Sequence, residues 1–195
     1  MGINLVKGQK IDLTKGNAGL RNLLVGLGWD PVKVKKGLFG KKAPNIDLDS
    51  SVIMLRDDVL VRKEDVIYFG NLKSQCGGII HTGDNLTGDG DGDDEQILVD
   101  LQKIPQDVNK LIFVINIYAC KQRNQDFGMI ENSYIRIADN SSKTELIKFD
   151  LKDDYSGKTA MIVGEVYRYQ NEWKFAAIGE GTTDEGLGQM LTRYQ

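Results

Sequence analysis

The sequence predicts an all-β chain, a sandwich of two sheets with only short peripheral helices. Three observations carry this. Short runs with strand character recur from end to end of the 195 residues. Glycine supplies 22 of those residues, about 11% against an average of roughly 7%, which favours many tight turns. Finally, half-covered strands flank one strand that is apolar throughout, the pattern of two packed sheets.

Nine strands are expected: 21–29, 48–55, 66–69, 96–101, 110–118, 133–138, 145–151, 159–169 and 173–178. In Tyr134-Ile135-Arg136-Ile137 and in Leu146-Ile147-Lys148-Phe149 the apolar side chains fall on every second residue. In Leu111-Ile112-Phe113-Val114-Ile115 every position is apolar, so that strand is covered on both faces. The tract Tyr169-Gln170-Asn171-Glu172-Trp173 reads as a hairpin turn between aromatic-rich strands. Two short helices are expected. One spans Pro105 to Asn109; the other spans Asp184 to Tyr194, opened by Thr183 or Asp184 as cap, with Leu187, Met190 and Leu191 at helical spacing. No repeat of 20 to 50 residues is evident, and residues 1–195 read as a single domain.

Composition excludes several classes. The balance of 41% hydrophobic and 27% charged residues is that of a soluble globular chain. The longest aliphatic and aromatic run, 111–115, is far short of the roughly 20 residues a membrane-spanning helix needs. With neither a signal-peptide pattern nor a myristoylation site at the N-terminus, the expected location is cytoplasmic. The net charge of −3 argues against nucleic acid as partner, because neutralising phosphates needs a basic surface. Two cysteines, Cys76 and Cys120, form neither a CxxC pair nor a zinc spacing. Phosphate-cradle motifs are missing, since Gly26-Leu27-Gly28 lacks its third glycine at Pro31. A single histidine, His81, and no G-x-S-x-G leave a serine-hydrolase triad unsupported.

The charge is unevenly placed. Between Gly83 and Glu95 lie Asp84, Asp89, Asp91, Asp93, Asp94 and Glu95 with no base, so the rest of the chain carries +3. Repulsion among these acids and the freedom of the interleaved glycines give the segment little reason to order alone. An oxygen-seeking cation removes the repulsion; calcium suits it better than magnesium, which holds its waters and demands an octahedron. A solvated acidic turn is the competing reading. An EF-hand fails in both registers. From Asp84, Asp89 stands where glycine is needed; from Asn85, Gln96 stands where glutamate is needed. His81 reads as a hydrogen-bonded structural residue, since calcium avoids nitrogen.

Five ordered motifs carry a family resemblance: Gly26-Leu27-Gly28-Trp29-Asp30; Asp47-Leu48-Asp49-Ser50-Ser51; His81-Thr82-Gly83-Asp84-Asn85-Leu86-Thr87-Gly88 running on to Asp93-Asp94-Glu95; Ser133-Tyr134-Ile135-Arg136; and Glu172-Trp173-Lys174-Phe175. Together they resemble the TerD family of tellurite-resistance and general stress proteins over nearly the whole chain. The resemblance implies a cytoplasmic calcium-binding β-sandwich without enzymatic activity. Its metal motif falls on Asp84, Asn85, Asp89, Asp91, Asp93, Asp94 and Glu95, with Asp47 and Asp49 as donors from a neighbouring strand. Asp47 and Asp49, two apart, share one strand face. Two calcium ions would set +4 against the six acids of the loop.

Two further expectations concern partners. Lys33, Lys35, Lys36, Lys41 and Lys42 flank Leu38 and Phe39, either as a solvated loop or as a contact for an anionic membrane surface or acidic partner. The expected role is therefore calcium-dependent recruitment to a membrane-associated component of the resistance system, at the inner face of the membrane. The alternative is a thiol-based scavenger of tellurium oxyanions that uses Cys76 and Cys120.

Overall fold

The computed structural model describes residues 2–17, 19–32, 46–83 and 92–195. Among the described residues twelve strands form two six-stranded sheets. In chain order they are β1 (Ile3–Leu5), β2 (Lys10–Asp12), β3 (Asn22–Pro31), β4 (Leu48–Leu55), β5 (Val66–Ile67), β6 (Ile79–His81), β7 (Glu95–Asp100), β8 (Lys110–Ile117), β9 (Ile130–Asp139), β10 (Glu145–Asp150), β11 (Ala160–Tyr169) and β12 (Glu172–Thr182). The first sheet runs β1-β10-β9-β3-β7-β6 and the second β2-β12-β11-β8-β4-β5. Only β1 against β10 is parallel; every other pairing is antiparallel.

The expected sandwich is present. β8 lies well inside the second sheet, and its unbroken apolar run, Leu111 to Ile115, is buried throughout. Its two faces serve two cores. Phe113 and Ile115 join Val52 and Met54 against Leu23, Val25, Ile97 and Ile137 of the first sheet. Ile112 and Val114 face outward with Ile53, Leu55 and Ile162, under Met190 of α2 (Leu187–Leu191). Each such side chain contributes about 1.5–3 kcal/mol on full burial. β10 keeps the two-residue alternation, with Ile147 and Phe149 buried and their neighbours half-buried.

Between β11 and β12 the turn is the two-residue kind that strand twist favours: Gln170 and Asn171 have φ of 50° and 65°, the left-handed values of a type I′ turn.

Several expectations fail. Strands β1, β2 and β6, three residues each, were not legible in the sequence, nor was the four-residue helix α1 (Cys120–Arg123). Pro105–Asn109 is a turn, not a helix, closed by Val108 N–H donating to the Pro105 carbonyl at 3.1 Å. The Ile104 carbonyl, which in a helix would accept from the Val108 N–H, instead accepts from Arg168 at 2.9 Å, and Arg168 also donates to the Val108 carbonyl at 3.1 Å. α2 starts later than expected. Its N-cap is Gly186, because the polar side chains upstream are engaged elsewhere: Thr182 Oγ1 donates to Asp184 Oδ2 at 2.6 Å, and Arg193 holds the same carboxylate at 2.9 Å.

Candidate metal centre

Three consecutive acids enter β7, and each goes to a different place. Glu95 points into the sandwich, since inward positions of β7 are Glu95, Ile97 and Val99. There its Oε2 accepts from the Ser50 N–H at 2.9 Å and stands 3.4 Å from His81 Nε2. His81 accepts at Nδ1 from the Gly83 N–H at 3.2 Å, which leaves the ring proton on Nε2, facing Ser50 Oγ at 3.0 Å. His81 is thus a structural histidine tying β6 to β4. Ser50, His81 and Glu95 are the residue types of a hydrolytic triad, yet Ser50 and Glu95 both address the same ring nitrogen. All three are no more than 2% exposed, so substrate has no access to Ser50 Oγ.

Asp94 sits at the sheet end, where its backbone N–H donates to the Leu27 carbonyl at 2.8 Å and its Oδ2 accepts from the Trp29 N–H at 2.8 Å. Burial raises its carboxyl above the usual range; the Trp29 bond opposes this, and the charges of Asp30, Asp93 and Glu95 add to it. The side chain opens on a cavity of about 650 Å³ shared with Trp29, Asp30, Tyr134 and Lys148. Asp30 is held there by Asn132, which donates to it at 2.8 Å.

Asp93 turns over the outer face of the first sheet. Arg136 grips it with two parallel bonds of 2.6 and 2.7 Å, Gln96 donates at 3.0 Å and Tyr134 at 3.2 Å, and the carboxylate is fully buried. Two glycines of β3 make room. In register Gly26 lies opposite Arg136 and Gly28 opposite Tyr134. A Cβ on Gly26 would stand 2.2 Å from the Asp93 carboxyl carbon, and one on Gly28 would stand 2.5 Å from the Tyr134 ring. The Gly-Leu-Gly tract is thus the bare strip of sheet that receives the anchor.

Asp47 and Asp49 open β4. Asp47 stands 3.5 Å from Arg123, and its Oδ1 is buried with no hydrogen-bond partner. Burial raises its carboxyl, Arg123 opposes that, and the charge of Glu95 adds to the rise. Asp49 accepts from Asn116 Nδ2 at 3.1 Å across the β4–β8 ladder.

Of the sequence-derived set, Asp84, Asn85, Asp89 and Asp91 lie outside the described residues, as does the Lys33–Lys42 cluster. Among the described residues no three acidic, histidine or cysteine side chains close on one point as a metal site requires. What the described part offers a cation is oxygen chemistry: Asp47 with an orphaned buried oxygen, and Asp94 destabilised by like charge. Arg136, Tyr134 and Gln96, which anchor Asp93, were missed as functional partners. The Ser-Tyr-Ile-Arg motif held the signal, since Tyr134 and Arg136 share one strand face. Both cysteines are free; Cys120 is buried beside the Glu185 carbonyl and Cys76 is half-buried.

This is a two-sheet sandwich with neighbouring carboxylates at one rim. Comparison with known proteins supplies the family: the chain belongs to the TerD domain family, whose model matches residues 1–194. It is 57% identical to the stress response protein SCP2 of Bacillus subtilis (strain 168), over the full length of both. It is 40% identical to the tellurium resistance protein TerD of Serratia marcescens, over 100% of this chain and 97% of that one. The fold resembles that of a solved homologue of the telluride resistance protein TerD from Streptomyces coelicolor A3(2), with a TM-score of 0.65 and 24% identity over 85% of this chain and 92% of that one. No helix among the described residues is long and apolar enough to cross a membrane.

Proposed function

We propose that this protein is a non-enzymatic calcium-binding member of the stress and tellurium-resistance class, loading about two Ca²⁺ ions at the acidic rim. The observation that carries the reading is the state of Asp47 and Asp94. Asp47 keeps a buried oxygen with no hydrogen-bond partner among the described residues, and burial, with neighbouring acids adding, raises both carboxyls against the opposing Arg123 and Trp29 contacts; a hard divalent cation would turn that cost into attraction. Asp47, Asp94 and Glu95 are the described donors, and Asp84, Asn85, Asp89 and Asp91 supply the rest from the adjoining segment. Asp93, fully engaged by Arg136, serves as the post that fixes the end of that segment. Asp49 stands behind, bonded to Asn116. When bound, the ions would neutralise the charge of the rim; the protein's own part is to hold the donor oxygens in place.

Two ions would move the net charge from −3 to about +1, which turns repulsion from an anionic membrane or acidic partner into attraction. The calcium-loaded form is therefore the one that recruits a membrane-associated partner, with Lys33, Lys35, Lys36, Lys41 and Lys42 contributing.

Calorimetric titration of the metal-stripped full chain, with magnesium as competitor, tests the reading. Calcium is expected to bind ahead of magnesium and to raise Tm, with a gain of about 2.7 kcal/mol at a hundredfold excess over Kd. Asp94→Asn should melt higher than the wild type in chelator, because a half-buried charge beside other acids is gone, and gain less from calcium. Identical melting curves in calcium and chelator would sink the proposal.

A further inference from the structure

The outer face of β4 and β8 changes character along its length. Ile53, Leu55, Ile112 and Val114 lie under the C-terminal helix, whereas Asp49, Ser51 and Asn116, further along the same face, floor a cavity of about 280 Å³. Register puts Asp49 directly opposite Asn116 and Ser51 opposite Val114. Ser51 is 1% and Asn116 4% exposed, and Ser51 Oγ and Asn116 Oδ1 have no hydrogen-bond partner among the described residues. Two buried polar atoms left so cost about 1–3 kcal/mol each, a cost the strand pair bears unless something fills the site. Asp49, whose Oδ2 accepts from Asn116, lies beside them.

The remaining lining is aromatic. Tyr68 and Phe69 meet edge to face with centroids 5.3 Å apart, and Phe69 is 45% exposed. Tyr118, 48% exposed, carries the Arg123 guanidinium 5.1 Å over its ring, so a cation already rests on one aromatic of this group. Glu185, also in the lining, is neutralised by Lys121 at 2.7 Å. Acceptor oxygens below and π faces at the side match one chemical class, because an alkylammonium donates N–H bonds to oxygens and draws its charge against ring faces. A metal ion would gain nothing from the rings. Water alone would leave their apolar surface wet, and the volume is several times the roughly 30 Å³ share of one water.

We propose that this cavity binds a primary alkylammonium group, that of a free small amine or of a lysine side chain, with Ser51 and Asn116 as acceptors and Phe69 as the principal ring. The site adjoins Asp47 through Arg123, but its acceptors, Ser51 and Asn116, have no part in the calcium reading, and it does not depend on that reading.

The test is NMR titration of the ¹⁵N-labelled full chain with n-propylammonium and with Nα-acetyl-lysine amide, each in calcium and in chelator. Saturating shifts of the Asn116 side-chain amide and the Ser51 backbone amide are expected for both probes. Affinity for tetramethylammonium, which has no N–H, should be about tenfold weaker, equivalent to about 1.4 kcal/mol. Phe69→Ala, at an exposed position that spares the fold, should weaken binding roughly 3- to 30-fold, the span of one cation–π contact. Ser51→Ala should weaken it with Tm unchanged or raised. Response to the lysine probe alone would place the amine on a polypeptide and support the proposal. No saturation up to about 100 mM, a generous limit for so small a ligand, would overturn it. So would an equal response to n-propanol, or displacement of the amine by calcium with shifts at Asn116.

Discussion

Asp93 shows how one residue's chemistry depends on where the backbone carries it. Read in sequence, it is one carboxylate in an acidic run; in the fold it is a buried anion neutralised by a bidentate guanidinium. Removing one partner of such a pair is expensive because the other charge is stranded. Arg136→Met should therefore cost about 3 kcal/mol in denaturant unfolding. Adding Asp93→Asn should recover part of that loss, giving a coupling energy above about 1 kcal/mol in the double-mutant cycle. Strict additivity would show that the pair is only a surface contact. Tyr155 carries a second residue-scale prediction. Buried and donating to the Gly179 carbonyl at 3.1 Å, its phenol is pushed up to about 12 by burial, with the charge of Asp153 adding to it. A phenol raised in the folded state above its ordinary value of 10.0 contributes stability that is whole below pH 10 and is lost as pH rises towards 12. Tyr155→Phe should thus be about 1 kcal/mol less stable at pH 7, from the lost hydrogen bond, yet lose less between pH 10 and 12. Parallel alkaline curves for the two proteins would refute this.

At the scale of elements, α2 matters more than its five residues promise. Its lone fully buried side chain, Met190, seals the outer core over Ile53, Ile112 and Ile162. Met190→Ala should cost about 2–5 kcal/mol by the cavity it leaves and make the C-terminus the first site of proteolytic nicking; a loss under about 0.5 kcal/mol would mean the segment only rests there. This element also shows what was legible. Leu187, Met190 and Leu191 at helical spacing announced the helix, but its start was misplaced because Thr182, Asp184 and Arg193 bond to one another, a tertiary arrangement no local pattern contains. The long strands were readable because each carries its own local signal, the alternation of β10 or the apolar run of β8, and β4 matched its expected bounds to the residue. At Pro105–Asn109 the deciding partner, Arg168, lies about sixty positions away. The candidate site was half legible for the same reason. Composition marked the acidic run, but the splaying of Asp93, Asp94 and Glu95 is decided by Arg136, Trp29 and Ser50, on three other strands.

For the whole molecule, the informative feature is the brevity of the four outermost strands: β1, β6 and β2 have three residues each and β5 has two. Short margins deny a neighbouring chain the length of open backbone it would need to add itself to a sheet. Two of these margins come from one short stretch. Within residues 3–12 the chain closes the first sheet by pairing Ile3–Leu5 with β10, crosses over, and closes the second by pairing Lys10–Asp12 with β12. Deleting residues 2–12 would make β10, of six residues, and β12, of eleven, the open edges of the two sheets at a stroke, and that variant should run as dimers and larger species in light scattering while the full chain does not. A monodisperse deletion variant would assign that guard to other parts of the surface. One stretch of ten residues thus clasps an edge of each sheet, and a protease that removed it would leave both sheets with a long side open to other molecules.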